Sequence, residues 1–418
     1  MSGPTVQNPQ SQTTVFLDQP PSCLEFCPED PDYFVVGTYL LSETKDDDGE
    51  TVQKKTGSLQ LWKLDPVSSQ LTHIQTHPVP EAAVFDLHFH PRHRTLLAIA
   101  TSAGTVSLFR VARPDDAGSP VIQRIRSIPV REDDPSIPAL FLAWVPPTRG
   151  VLQSNGADGF AVTFSDGKTS VFGIDSGDLE RDELQEAATF EARESIEVWF
   201  AAWGLFRDGN DHPDDKNLTP FLFTGDDFGS LHTRRFVTTS GEDGSSDLLP
   251  PVLLDYDDRA RHHTAGVTAI LPLPVPLVDG GPLLLTGSYD EFLRVYHATR
   301  RGEVLAETRL GGGVWRLQFV GAPARCENTL SFLVLASCMH AGARVLRVTR
   351  RRSESAEGVG EWDLEVLARF TEHESMNYAS GVWRGGEGGA EDSESKRKLL
   401  CVSSSFYDRR VCVWRAEV

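Results

Sequence analysis

The chain has 418 residues, 39% of them hydrophobic and 24% charged, with 35 Gly and 26 Pro, the make-up of a turn-rich globular protein and not of a disordered one. Its 60 Asp and Glu against 40 Lys and Arg leave a net charge of -20, which repels phosphate backbones and sets nucleic acid aside as a partner. No apolar run approaches the ~20 residues that cross a bilayer, and the opening MSGPTVQNPQSQ lacks the basic end and apolar core of a secretory signal.

In chain order, residues 1–12 are expected to form a disordered tail and TTVFLDQP (13–20) an isolated alternating strand. Seven related units follow, over approximately 22–80, 81–130, 138–192, 195–258, 264–310, 312–370 and 376–418. Each opens on an apolar strand, as in SCLEFCP, AVFDLHFHP, ALFLAWVPP, IEVWFAAWG, VTAILPLP, GVWRLQFVG and YASGVWRGG. A hairpin with a small or acidic turn comes next, clearest in LLTGSYDEFLRVYHATR, LASCMHAGARVLRV and SSFYDRRVCVWR. A polar fourth strand closes most units, for example VIQRIRSIPV. Units of about 60 residues, against a usual ~40–45, reflect polar, Gly-rich insertions at 42–56, 207–217, 240–250, 351–360 and 386–397, read as loops. The whole predicts an all-β protein, a single seven-bladed WD-repeat β-propeller over 13–418. The last unit ends on a third strand, so 13–20 is expected to complete that blade and remove its open edge. Six cysteines without a CxxC pair sit mostly in strand patterns, as reduced thiols of a cytosolic or nuclear protein would; a cytoplasmic monomer is expected.

The Trp-Asp that ends a repeat is replaced by Tyr296-His297 in the fifth unit. Aligning Tyr407-Asp408 with Tyr289-Asp290 keeps Trp414 in register with Tyr296 and puts His340 in the place of Asp290. The turn carboxylates Asp290, Asp408, Asp227 and Asp166 read as structural, because a buried carboxylate must be paired. His263, just before the fifth first strand, is the expected partner of Asp290.

TGSYDEFLRVY, GGGVWRLQF, ASCMHAGARVL, TEHESMNYASGVW and SFYDRRVCVW occur in that order and closely resemble the last three blades of the diphthine methylesterase family of WD-repeat proteins. EVWFAAW and TGDDFG resemble that family's fourth blade, and GTYLL its first. Tyr378 keeps the family pattern; Asn377 and Ala379-Ser380 depart from it. The resemblance implies hydrolysis of the methyl ester of methylated diphthine on translation elongation factor 2, before the final amidation of diphthamide biosynthesis. It implies no cofactor, elongation factor 2 as protein substrate, and the amidating enzyme as a further partner. A non-catalytic scaffold presenting the modified factor to that enzyme is the alternative. An older family label says methyltransferase, but the chain has no strand–Gly-rich-turn–helix unit to hold a nucleotide-like methyl donor.

Neither a G-x-S-x-G elbow nor an HExxH motif is present. HFHPRH (His88, His90, His93) has a superficial ligand spacing but lies where a first strand turns into a second, so it reads as turn material and no metal is expected. Ester hydrolysis then needs a base and donors for the oxyanion. His340, an imidazole where the neighbouring turns keep Asp, is the leading base, and Ser375 with His373 is a second possible nucleophile–base pair. Turns and first-strand starts share one face, so Glu197, Trp199, Trp315, Arg316 and Tyr378 are the expected substrate-binding residues. Arg316 would bind a carboxylate or steady an oxyanion. Trp315 would offer its face to the trimethylammonium group that the resemblance implies.

Overall fold

A computed structural model describes residues 6–45, 49–114, 118–146, 151–152, 158–174, 178–208, 218–237, 248–351, 358–385 and 397–418. Among them there is no helix, and the strands form seven antiparallel sheets, a seven-bladed β-propeller. Blade 1 holds Pro21–Phe26, Tyr33–Thr38, Thr51–Leu64 and Leu71–Val79. Blade 2 holds Val84–Phe89, Leu96–Thr101, Thr105–Ala112 and Val121–Pro129; blade 3 holds Ala139–Trp144, Gly159–Phe164, Lys168–Gly173 and Gln185–Glu191. Blade 4 is built from Val198–Phe206, Thr219–Asp226, Leu231–Phe236 and Val252–Asp257, and blade 5 from Val267–Pro272, Leu283–Ser288, Phe292–His297 and Glu303–Arg309. Blade 6 has Arg316–Phe319, Thr329–Ser337, Ala343–Arg351 and Glu361–Phe370. Blade 7 has Ala379–Val382, Lys398–Ser405 and Arg410–Glu417, with Ser11–Phe16 on its outer edge.

Position within the blade explains composition. Second strands such as LLAIAT and GFAVTF are buried at every residue, because neighbours cover both of their faces, and they read as continuous apolar runs. Fourth strands meet solvent on one side, and in VIQRIRSIP only Ile122 is buried. The described chain falls into two compact units, Met1–Ala139 with Leu335–Leu346 and Val366–Val418, and Leu140–Val334 with Arg347–Glu365.

In the first unit, Ser11–Phe16 runs antiparallel to Arg410–Glu417 with Val15 opposite Val411. The closing strand thus begins two residues before the expected 13–20. Ahead of it, within the tail expected over 1–12, Gln7 pairs through its backbone with Leu367 and Arg369; residues 1–5 lie outside the described residues. Past the strand, Asp18 accepts from Gln60 (2.6 Å) and Gln19 from Thr38 (2.6 Å), tying last blade to first. Leu17, Phe34, Trp62, Val402 and Val413 pack together beneath this seam.

The insertion 42–56, expected as a loop, pairs as a hairpin with Leu40 opposite Thr56. The insertions at 207–217, 240–250, 351–360 and 386–397 lie mostly outside the described residues. Tyr296 and Trp414 play different parts. The Trp414 indole donates to Ser403 Oγ (3.0 Å), which meets His373 Nε2 (2.8 Å), and the ring stacks on Phe370 at 5.1 Å. The Tyr296 hydroxyl instead donates to Asp258 (2.9 Å) and runs against Gly302, whose φ of +67° and lack of a Cβ make room for it. In blade 7 the hairpin turn is four residues (406–409), one longer than in blade 5, because Ser405 pairs with Arg410.

His88 lies between the buried Asp86 (2.9 Å) and Glu25 of blade 1 (3.3 Å). Burial opposes its charge, yet the two carboxylates outweigh burial and hold the imidazolium up at about 10. The pair contributes fully below the ordinary histidine value near 6.5 and is lost as pH rises through about 10. Urea midpoints of the wild type are therefore expected to fall between pH 7 and 10, with a flatter profile for His88→Gln. Trp414→Ala, which opens a cavity and removes one of the two partners of Ser403 Oγ, is expected to cost about 3–5 kcal/mol in the same measurement.

Candidate functional site

The hairpins of blades 5 and 6 have the same three-residue turn and opposite contents. In blade 5, Gly287 pairs with Leu293 and Asp290 stands at the centre of the turn. Its carboxylate points inward, accepting from Arg294 (2.9 Å), Thr264 N (3.0 Å) and Phe292 N (3.1 Å). Burial would raise its pKa, but these donors, Arg294 first, hold it below the usual carboxylate range. The expected His263 partner is not among them. His263 Nε2 meets Thr286 Oγ1 (2.9 Å) instead, and the guanidinium of Arg294 takes the role assigned to it. Asp408 in blade 7 is held in kind by Ser375 Oγ (3.0 Å), Glu374 N (3.1 Å) and Ser405.

In blade 6, Cys338 N donates to Gly342 O (2.8 Å), leaving Met339, His340 and Ala341 as the turn. His340 is central, as Asp290 is, but its side chain is exposed, and among the described residues nothing bonds its ring. Met339 before it adopts φ +43°, a left-handed conformation that a long side chain rarely takes. Its carbonyl accepts from both Gly342 N and Asn377 N, each at 3.0 Å. Asn377 is wholly buried, and its amide donates to Ala379 O (2.9 Å) and Ser404 O (2.7 Å) while its oxygen accepts from Ser380. Ser337, just before the turn, bonds Ser380 as well (3.0 Å). The first residues of blade 7 thus hold the blade 6 turn from both sides. Sequence reasoning missed Asn377; its departure from the family pattern was the signal.

The Ser375–His373 pair is not brought together. His373 is buried, its Nε2 bonded to Ser403 and its Nδ1 without a hydrogen bond, and burial pushes it down to about 4. Ser375 Oγ serves the turn, accepting from Tyr407 N (2.8 Å) and meeting Ser405 Oγ (2.9 Å). Both residues belong to the tie that anchors the blade 7 hairpin, which corrects their assignment to catalysis. Tyr378 is half-buried and edge-on to Phe406 at 5.5 Å.

In the second unit, Trp199, Tyr289 and Trp315 contact one another, with centroids 5.5–6.2 Å apart. The Trp199 indole donates to Asp227 (2.6 Å), whose backbone N donates to Glu197 O (2.9 Å). Asp227 is therefore not the structural turn carboxylate; its neighbour Asp226, buried and accepting from Ser230 N (2.9 Å), is. Arg316 is committed elsewhere than to a substrate carboxylate. Its guanidinium lies over Trp315 (4.7 Å), Phe141 (4.9 Å) and Phe200 (5.3 Å) and donates to Trp315 O (2.9 Å) and Thr268 O (3.2 Å). Sequence reasoning named Trp199 and Trp315 but not Tyr289, whose place at a turn looked like repeat material. His90 Nδ1 accepts from Arg92 N (3.1 Å) and His93 N (2.9 Å), the turn role expected of HFHPRH. Among the described residues no group of three or more His, Cys, Asp or Glu is disposed to hold a metal.

No family model matches the chain. A fission yeast (Schizosaccharomyces pombe) protein named diphthine methyltransferase is 26% identical over 404 residues, 96% of this chain and 97% of its own. The chain is similar, end to end, to the diphthine methyltransferases. The Saccharomyces cerevisiae protein of that name is 23% identical over 98% of this chain and 99% of its own. The human one is 25% identical over 78% of this chain, which spans 62% of the human protein. Among solved structures, Sqt1 of Chaetomium thermophilum matches 99% of the chain with a TM-score of 0.57 at 14% identity. The same protein bound to the N-terminus of ribosomal protein L10 gives 0.54 at 13%. These likenesses agree with the propeller fold.

His263, pushed down to about 3 by burial and the nearby Arg294, and His373, at about 4, are both neutral in the folded chain where an unfolded histidine would bind a proton. The unfolded state gains protons below pH 6.5, so stability is expected to fall as pH drops from 6.5 to 4. A urea series over that range should show the slope, reduced in His373→Gln once allowance is made for its lower overall stability.

Proposed function

We propose that the chain hydrolyses the methyl ester of methylated diphthine on translation elongation factor 2, giving diphthine for the final amidation step. The similarity to proteins named diphthine methyltransferase over nearly the whole chain supports diphthine as the substrate. The observation that carries the hydrolytic reading is His340, an exposed, unbonded imidazole at the centre of a turn whose counterpart in blade 5 is a buried, fully paired carboxylate. Such an imidazole takes the proton of a water as its oxygen attacks the ester carbonyl, then returns it to the departing methoxide, which leaves as methanol. Water, with His340 as general base, is the nucleophile favoured here. Trp199 and Trp315, with Tyr289 beside them, are proposed to receive the trimethylammonium group on their faces, at about 0.5–2 kcal/mol. The carboxylates of Asp227 and Glu197 would add attraction for the same charge. Tyr378 is proposed as a contact to the protein substrate. The cytoplasm, where elongation factor 2 acts, is the proposed compartment, and the amidating enzyme is the proposed partner that takes the product.

Purified protein mixed with elongation factor 2 bearing methylated diphthine, with no methyl donor added, is expected to release methanol. His340→Ala should lower the rate by about 100-fold or more with the dissociation constant for the substrate changed less than twofold. Binding by the wild type without methanol would instead favour the scaffold reading. Methylation of diphthine that appears only on addition of a methyl donor would point to transfer.

A further inference from the structure

Five aromatic side chains form a surface in the first unit that the hydrolytic chemistry does not use. Phe85, Tyr39, Phe406 and Tyr378 follow one another with successive centroids 5.5, 6.0 and 5.5 Å apart, and Tyr407 packs edge-on against Phe406 at 5.0 Å. They come from three blades: Phe85 from the first strand of blade 2, Tyr39 from just past the second strand of blade 1, and the others from the turn and entry of blade 7. None is in the core. The first four are half-buried, and Tyr407 is 70% exposed. The hydroxyls of Tyr39 and Tyr378 are both raised by burial and by the nearness of Tyr407, so three phenols lie close together. Tyr407, which buries little of itself, contributes little to folding, and tyrosine-rich clusters that reach the surface are where binding energy concentrates in protein interfaces.

The cluster adjoins the blade 6 turn. Tyr378 follows directly on Asn377, whose backbone bonds the Met339 carbonyl one residue before His340. Its charged border is acidic in balance. Asp18 and Glu374 are exposed and Asp408 partly so, three carboxylates against the two guanidiniums of Arg409 and Arg410. Arg409 donates to Asp18 O (2.7 Å), and Arg410 to Glu374 (2.6 Å) and Glu372 O.

We infer that the Tyr39–Phe85–Tyr378–Phe406–Tyr407 surface docks an extended, basic polypeptide segment of the protein substrate, next to the turn that carries His340. The row of rings is too long for a single small group and suits alternate side chains of a peptide. The acidic border selects for basic residues in that segment. This rests on the hydrolytic reading for the identity of the protein, but its test does not need turnover.

The test compares affinities of two ligands by titration: elongation factor 2 bearing methylated diphthine, and a short peptide containing only the modified residue and its nearest neighbours. Tyr407→Ala, a change at an exposed side chain that leaves the fold intact, is expected to weaken binding of the whole factor about 10-fold or more, as loss of an aromatic anchor does. It should leave the short peptide within twofold. Tyr407→Phe should retain most of the affinity, and raising salt from 50 to 300 mM should weaken the factor more than the peptide. An unchanged dissociation constant for the factor in Tyr407→Ala, or equal losses for factor and peptide, would overturn the docking surface. If the factor docks as described but wild type frees no methanol, the hydrolytic reading fails alone. Methanol release with an unaffected Tyr407→Ala complex removes the docking surface alone.

Discussion

Each blade must bury part of the hairpin between its second and third strands, and polar groups there have to be paired once water is excluded. Much of this structure follows from how that demand is met. Blade 5 meets it with Arg294 and the chain entering its first strand, both on Asp290. Blade 7 uses Ser375, Ser405 and the Glu374 amide on Asp408, with His373, Ser403 and Trp414 in a line behind. Blade 4 gives the duty to Asp226 and its own turn amide at Ser230. In each case the central polar group of the tie is consumed by the scaffold.

Blade 6 solves the same problem from outside itself. It has no carboxylate in its turn, and the Met339 carbonyl is satisfied by the Asn377 amide at the start of blade 7. A left-handed methionine costs on the order of 1–3 kcal/mol, and the fully bonded Asn377, together with Ser337 and Ser380, supplies the surroundings that hold it. Relieved of any structural partner, the His340 side chain projects into solvent. The contrast with His373 is instructive, because the two histidines lie in adjacent blades of one fold. One is buried, neutral and committed to a serine; the other has no such commitment.

The aromatic residues divide by the same logic. Trp414 and Tyr296 complete blades from within, and each finds a hydrogen-bond partner of its own, Ser403 or Asp258. Trp199, Tyr289 and Trp315 form a half-buried group, with the Trp199 indole bonded to Asp227. Tyr39, Tyr378 and Tyr407 stand further out. A sequence repeat does not distinguish these fates, since tyrosine at a turn and tyrosine at a strand end look alike in one dimension.

Sequence by itself determined the seven units, the strand order within them and the need for an outer strand from the N-terminus. Those rest on period-two alternation and on continuous apolar runs, which are local and survive insertions. It also singled out His340, because a histidine in place of an acid is visible by alignment alone. What only the tertiary structure decided is which groups meet. The choice of Asp226 over Asp227 and of Arg294 over His263 turns on which side chain the hairpin points inward, and that of scaffold over catalysis for Ser375 and His373 on partners about thirty residues away in the chain. The pairing of 42–56 as a hairpin rather than a loop is local, but its polar residues fit either state. The role of Asn377 was the least legible: its work is done by a backbone amide reaching a neighbouring blade, and no side-chain pattern records where a backbone amide will point.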